Sequence, residues 1–333
     1  MSVNLTLEEV FDLAKSCMLA AGCDYANAQA VARTVTNAER DICLSHGLFR
    51  IPGYAGGVKS GVAKGDAAPV AEYVSPGLIR VDGAGGTAPL AIQTAHEALI
   101  PAAREQGIAA AAINDILHLS ALWPEVEPLA ENGLVGMACC VAGPYVAPAG
   151  GTKGLFGTNP FAFSWPRDGA PPVVFDQASS AMARGEIQIA QRDGHALPEG
   201  AGIDKDGNPT TDPDEILAGA QLAFGGYKGA SIAMMVELLA GALVGGKFSY
   251  ETTVDVGNAP TLGRHSEVII AIDPKRFGGE GSISRGEELF GKILEQEGTR
   301  LPAERRFKNR EITAREGVNV AQSLYDSLRE MAG

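Results

Sequence analysis

Cysteine, histidine and basic charge are all scarce in this chain, and each shortage closes off a class of function. The five cysteines, Cys17, Cys23, Cys43, Cys139 and Cys140, are odd in number, form no C-x-x-C pair and include two neighbours. That usage fits reduced, buried thiols in a cytoplasmic protein, not a disulfide framework or a zinc site. No H-x-x-x-H, H-E-x-x-H or spaced acidic cluster is present, so no metal is expected. A G-x-S-x-G nucleophile elbow and a G-x-x-x-x-G-K-[ST] phosphate loop are missing as well. Lys and Arg number 27 against 40 Asp and Glu, a net charge of −13. A surface that acidic repels nucleic acid and anionic lipid, so the expected partner is a small molecule. An anionic substrate would then need its own local basic residues. The N-terminal stretch MSVNLTLEEVFDLAK is amphipathic and acidic, without the basic start and apolar core of a signal peptide. The run Gly229 to Gly246 approaches the length of a membrane span. Glu237 in its middle and its glycines argue for a buried helix instead.

What is present is a globular α/β pattern. Hydrophobic residues make up 45% and glycines number 42, which together predict a large core with many tight turns. Leu7, Val10, Phe11, Ala14 and Met18 recur at helical steps, and Thr6 with Glu9 forms a capping box. Further helices are expected over Tyr25 to Asp41, Leu48 to Val58, Pro89 to Gln106, Ala121 to Asn132, Gly286 to Gln296 and Ile312 to Met331. Strands are expected over Gly107 to Asn114, Leu134 to Val141, Val173 to Phe175 and Glu267 to Asp273. Gly202 to Pro213 reads as a hairpin or turn hinged on Asp206-Gly207. Helical ends around a strand-rich centre predict a discontinuous helical domain, residues 1–70 and 280–333, and a sheet domain, residues 71–279.

Two motifs are open to more than one reading. Gly83-Ala84-Gly85-Gly86-Thr87-Ala88 fits the G-x-G-x-x-A dinucleotide fingerprint between a strand and a helix. The acidic residue due at the end of the next strand is not well placed, since Glu105 precedes that strand and Asp115 falls late, so a plain strand-turn-helix corner is the other reading. Among the five histidines, His96 reads as structural or solvated, and His195 and His265 as surface residues in polar turns. His46 follows Ser45 and precedes Arg50 by four residues. If this turn opens a helix capped by Ser45, imidazole and guanidinium share a face, as a site for an anionic substrate requires. The other reading is a capped helix start with an exposed histidine.

Six segments, in order, carry a resemblance over about residues 5 to 325. They are Ser45-His46-Gly47 through Arg50, Val146 to Gly151, Gly157-Thr158-Asn159-Pro160, Asp176 to Ser180, Pro209 to Pro213, and Gly225-Gly226-Tyr227-Lys228-Gly229. Together they resemble the malate/L-lactate dehydrogenase family of oxidoreductases, which lacks a Rossmann fold. The implied fold is a central mixed sheet domain with a discontinuous helical domain from both termini, and the family carries the Gly83 glycines without a Rossmann domain. His118-Leu119-Ser120-Ala121-Leu122-Trp123-Pro124-Glu125 is similar to the branch that reduces delta-1-piperideine-2-carboxylate and delta-1-pyrroline-2-carboxylate. The alternative within the family is a dehydrogenase of 2-hydroxy acids such as malate, lactate or ureidoglycolate; a non-catalytic binding protein is a third reading, which the intact Ser45, His46 and Arg50 disfavour.

The resemblance implies NADPH as cofactor and a homodimer. It implies His46 as proton donor with Ser45 in a relay, and Arg50 and Thr158 as substrate-binding residues. His118, Leu119, Ser120, Ala121, Leu122, Asp176, Gln177, Ala178, Arg184, Gly185, Tyr227, Lys228, Arg305 and Arg306 are implied to line the cofactor. Glu186 stands where the branch usually has a relay aspartate, and Tyr227 where the family often has histidine.

Overall fold

Thr6 opens the first long helix as its sequence predicts. Its hydroxyl accepts the Glu9 N–H at 3.2 Å, and the Glu9 carboxylate accepts the Thr6 N–H at 2.8 Å. Two of the donors that a helix start leaves open are satisfied reciprocally. The helix Leu7–Ala20 buries Val10, Leu13, Ala14, Cys17 and Met18, and it packs against Tyr25–Arg40, which Asp24 caps. The computed structural model describes residues 2–256 and 259–333.

The chain divides into two units. The first comprises Met1–Ala138, Ala162–Phe175 and Ile269–Gly333; the second comprises Cys139–Phe161 and Asp176–Val268. The observed cuts therefore fall at neither 70 nor 280. The physical reason is packing. Helix Ala88–Gln106 contacts both the terminal helix Tyr25–Arg40 and the strands Val70–Ser75, Leu78–Asp82 and Ile108–Ile116, which ties ends and sheet into one unit. The turn-rich middle of the chain forms the other.

Seven strands make one mixed sheet. Their order is Val70–Ser75, Leu78–Asp82, Ile108–Ile116, His265–Ile272, Val135–Cys140, Phe161–Trp165 and Val173–Gln177. Leu78–Asp82 runs antiparallel to its first neighbour and parallel to its second, and helix Ala88–Gln106 makes the crossover. The Gly83 motif is the corner of that unit. A Cβ on Gly83 would lie 2.2 Å from Ile116 Cγ2, so this glycine lets a strand end and a helix start pack closely.

Two expectations need correcting, those over Ile312 to Met331 and at His265. The helix expected over Ile312 to Met331 is two helices, Glu304–Glu316 and Gln322–Ala332, parted by the strand Val318–Ala321. Gly317 makes the break: its φ is 73°, and a Cβ there would meet Leu5 O at 2.5 Å. The strand it releases pairs antiparallel with Ser2–Leu5. The apolar run after Gly229 is a helix, Tyr227–Val236, continued by a π-helical stretch, Glu237–Leu243; among the described residues no helix is long and apolar enough to cross a membrane. His265 is buried, with Nδ1 3.1 Å from Gly263 O, and is no surface residue. His195 is exposed as expected.

Candidate active site

In the first unit, helix Tyr25–Arg40 ends at Asp41, and two single-turn 3-10 segments follow, Leu44–His46 and Leu48–Arg50. Ser45 does not cap a helix here. Its hydroxyl lies 3.0 Å from His46 Nδ1, and the Cys43 thiol lies 3.8 Å from the same nitrogen. When Ser45 donates, Nδ1 is the acceptor and the proton of a neutral ring sits on Nε2. Burial, then the Arg50 guanidinium, then His118, push the His46 pKa down to about 3. The imidazole of the unliganded chain is therefore neutral at physiological pH. The cap at this turn comes from elsewhere: the buried Glu39 carboxyl accepts the Leu48 N–H at 2.7 Å.

The next elements bring more polar groups beside this segment. Helix Ile51–Lys59 buries Tyr54, whose hydroxyl accepts the Leu119 N–H at 3.2 Å, and burial pushes its phenol up to about 12. His118 Nε2 lies 2.7 Å from Glu125 Oε1, both side chains being buried, and the Ser120 hydroxyl lies 3.5 Å from the same nitrogen. Ala121 and Leu122 are buried, and Leu119 packs on the core around Tyr54. His96 is structural, with Nε2 at 2.8 Å from Glu125 O.

Trp123, 4% exposed, is covered by two arginines: the Arg306 guanidinium is 4.5 Å and that of Arg310 5.7 Å from its ring. Arg310 grips both carboxylate oxygens of Asp41 at 2.7 Å and also reaches Glu127. Arg306 stands 3.9 Å from Asp41 and 3.8 Å from Glu127, whereas Arg305 is exposed. A buried aspartate held this way anchors helix Glu304–Glu316 to the end of Tyr25–Arg40, directly before the Ser45 to Arg50 segment.

The second unit carries the remaining candidates. Thr158 is half-buried between two fixed neighbours. Glu237, in the π-helical stretch, accepts the Gly157 N–H at 3.3 Å, the Asn159 side-chain amide at 2.8 Å and the Ser249 N–H at 2.9 Å. The Ser179 N–H donates to Thr158 O at 2.8 Å, and its hydroxyl to Asn159 O at 2.6 Å. The Thr158 loop and the Asp176-Gln177-Ala178 segment are thereby locked together. Asp176 and Ala178 are half-buried and Gln177 is exposed.

Arg184 opens helix Arg184–Asp193 and lies flat over the Tyr145 ring at 3.8 Å. Burial lowers its pKa. Gly185 is buried and Glu186 exposed on the same first turn. Tyr227, 69% exposed, and Lys228 begin helix Tyr227–Val236 at the surface.

Sequence reasoning missed Glu39, Tyr54, the Asp41–Arg310 pair and Glu237. Only Glu237 left a signal, as the one charge inside an apolar run. A buried charge inside such a run is retained when it satisfies several donors at once. None of the five cysteines is in a disulfide among the described residues; four are buried and Cys43 is half-buried.

Comparison with known proteins places the chain. Residues 5–329 match the family model described as malate/L-lactate dehydrogenase. The delta-1-pyrroline-2-carboxylate/delta-1-piperideine-2-carboxylate reductase of Pseudomonas aeruginosa is 46% identical over 98% of both chains. The delta-1-pyrroline-2-carboxylate reductase of Ancylobacter novellus is 47% identical over 99% of this chain and 97% of its own. Among solved structures, delta-1-piperideine-2-carboxylate reductase from Pseudomonas syringae superimposes with a TM-score of 0.92 at 41% identity, covering 99% of each chain. With the ordered site segments, the mixed sheet and these full-length matches in hand, the chain belongs to the malate/L-lactate dehydrogenase family.

Proposed function

We propose that this chain is an NADPH-dependent reductase of cyclic imine carboxylates, converting delta-1-piperideine-2-carboxylate to L-pipecolate and delta-1-pyrroline-2-carboxylate to L-proline. The observation that carries this reading is the coupling of the Arg50 charge to the His46 ring in one short segment, with Ser45 bonded to that ring. Relatives of matching length that bear the reductase name support the choice of substrate. NADPH oxidation in the presence of each purified imine tests it.

The chemistry asks for hydride at carbon and a proton at nitrogen. A bound nicotinamide supplies the hydride. The residues fit such a phosphate-bearing group: Arg184 is a half-buried guanidinium with an aromatic face beneath it, and Lys228 is an exposed cation, both in a strongly acidic chain. Arg50 holds the substrate carboxylate by two parallel hydrogen bonds, and Thr158 helps to orient the ring. Burial is the larger cause of the depressed His46 pKa and the Arg50 field the second; a bound carboxylate offsets that field, which raises the pKa of the ring and favours its protonation in the complex. His46 then gives that proton to the ring nitrogen, and Ser45 holds the imidazole by its other nitrogen and relays the replacement. Glu186 is the carboxylate at the far end of that relay in this reading.

Cofactor choice follows from charge. Lys228 and Arg305 or Arg306 are the groups assigned to the 2′-phosphate. NADPH is expected to exceed NADH by at least about tenfold in kcat/KM, worth about 1.4 kcal/mol. Lys228→Ala should erode that ratio by weakening NADPH alone; equal efficiency with both cofactors in the wild type would remove these residues from the role.

The partner in this reading is a second copy of the chain. Tyr227, Met234, Met235, Leu238 and Leu243 are all exposed along one helical stretch, an apolar stripe of the kind that subunit contacts cover. Leu238→Asp should turn a dimer into a monomer in sedimentation velocity, and an unchanged dimer would clear this face of the role. A reducing, cytoplasmic setting is part of this reading, and cysteines held outside disulfides among the described residues support it.

A further inference from the structure

Glu39 is the odd group beside the candidate proton donor. It sits in the last turn of helix Tyr25–Arg40, only 3% exposed. Its Oε1 accepts the Leu48 N–H at 2.7 Å, and its Oε2 is buried with no hydrogen-bond partner among the described residues. A buried, half-satisfied carboxyl lowers stability, so its retention calls for a reason. Among the described residues, the only hydrogen bond its side chain makes is to the segment that joins His46 to Arg50.

The contact is also steric. A Cβ built on Gly47 would lie 2.1 Å from Glu39 Oε1 and 2.5 Å from its Cδ. Gly47 has a φ of −84°, outside the left-handed region, so φ alone does not require glycine there. The carboxyl does, because it occupies the space a side chain would fill. Gly47 is the hinge between the two 3-10 turns: its N–H donates to Leu44 O, and its carbonyl accepts the Arg50 N–H at 2.9 Å. Glu39 thus presses on the one residue through which both turns are connected, and bonds the next. Burial pushes its carboxyl up to about 7, against the pull of the Leu48 N–H. A neutral acid can fill this position without placing a full negative charge beneath the turn.

We propose that Glu39 is a positioning residue of the reaction: wedged against Gly47 and bonded to the Leu48 N–H, it sets the spacing between the His46 imidazole and the Arg50 guanidinium. The inference rests on the reading of His46 as proton donor and Arg50 as clamp. A side chain that only stabilised the fold would affect every function of the protein together. One that sets this spacing affects turnover and leaves the cofactor alone.

The test uses the full-length enzyme and five variants: Glu39→Gln, Glu39→Met, Glu39→Ala, Gly47→Ala and the double variant Glu39→Ala with Gly47→Ala. Steady-state kinetics are measured with the cyclic imines, NADPH affinity by fluorescence, and melting temperature for each protein. Glu39→Gln keeps both the volume and an oxygen acceptor, and should stay within about threefold of wild-type kcat, since the bond it preserves is a single one. Glu39→Met keeps the volume without the acceptor, and should lose about 10- to 100-fold in kcat with NADPH affinity unchanged, the scale expected of a small misplacement of reacting groups. Gly47→Ala should be damaging alone. Removing the Glu39 carboxyl frees the space its Cβ needs, so the double variant should fall far short of the multiplied losses of Glu39→Ala and Gly47→Ala.

Near-wild-type turnover in folded Glu39→Met would overturn the proposal. So would equal losses in turnover and NADPH affinity, a Glu39→Gln variant no better than Glu39→Met, or fully multiplicative losses in the double variant. A wild-type enzyme inactive on the imines but active on another 2-oxo acid speaks against the proposed substrate; the same variants are then scored on that acid.

Discussion

His46→Ala is expected to lower kcat by about 100- to 10,000-fold, the usual range for a general acid placed at the reacting atom. NADPH affinity should be nearly unchanged, because this residue serves the proton and not the cofactor. The resting imidazole is held down to about 3 by burial, Arg50 and His118. The pH dependence of kcat/KM reports the free enzyme. It should therefore show no inflection near neutrality from this ring. The dependence of kcat reports the complex, where the substrate carboxylate has neutralised Arg50. Its inflection should lie at higher pH and disappear in His46→Ala. The same depressed pKa has a stability consequence with a definite sign. The unfolded ring binds its proton near 6.5, so the contribution of neutral His46 is present above that pH and is lost as pH falls toward 3. Near-wild-type turnover of His46→Ala would remove the residue from the mechanism.

Arg50→Lys should be almost as costly. The guanidinium offers two parallel donors to a carboxylate, and an ammonium offers a point charge that cannot reproduce the fork. A loss of about 100-fold in kcat/KM is expected, roughly 2.7 kcal/mol, with most of it in KM. Arg50 also acts on His46. Lysine in its place changes the field on the ring, so the kcat pH profile should move as well as KM. A variant that keeps wild-type kcat/KM would show that the substrate carboxylate is held elsewhere.

What the sequence revealed of the fold was its local part. The Thr6–Glu9 capping box is a four-residue signal, and it forms as read. The apolar runs that mark Ile108–Ile116 and Val135–Cys140 are strands because short buried runs bounded by turns have few alternatives. The pairing of Ser2–Leu5 with Val318–Ala321 left no trace, since its two strands are more than 300 positions apart and four residues long. The helical pattern after Ile312 hid a break for the same reason. Gly317 is demanded by Leu5, which lies at the other end of the chain.

The site divides in the same way. Ser45, His46 and Arg50 are close in sequence, so their spacing alone suggested a proton donor beside an anion clamp. The supports of that segment are distant or untypical. Glu39 takes the place expected of Ser45 as the cap at this turn, and its role is visible only once the turn folds back on the helix end. Arg310 anchors Asp41 across 269 positions. Glu237 stood out as a charge in an apolar run, but its partners Gly157, Asn159 and Ser249 come from two other segments. Periodicity reports which face is buried, and it carries no information about which buried polar groups meet.

The central claim is the substrate class, and a single competition decides it. An imine carboxylate presents one carboxylate and one ring nitrogen, which the Arg50 clamp and the His46 acid match one to one. Oxaloacetate carries a second carboxylate and would need a second cation beside the Ser45 to Arg50 segment, whereas the neighbouring Arg40 and Arg310 are already paired with Asp41. NADPH oxidation by the purified wild-type enzyme should be measured side by side with delta-1-piperideine-2-carboxylate, delta-1-pyrroline-2-carboxylate, pyruvate and oxaloacetate. Efficient turnover of one or both cyclic imines, with oxaloacetate hardly reduced, is the predicted result; faster reduction of pyruvate or oxaloacetate than of either imine would contradict the account and make the enzyme a 2-hydroxy-acid dehydrogenase.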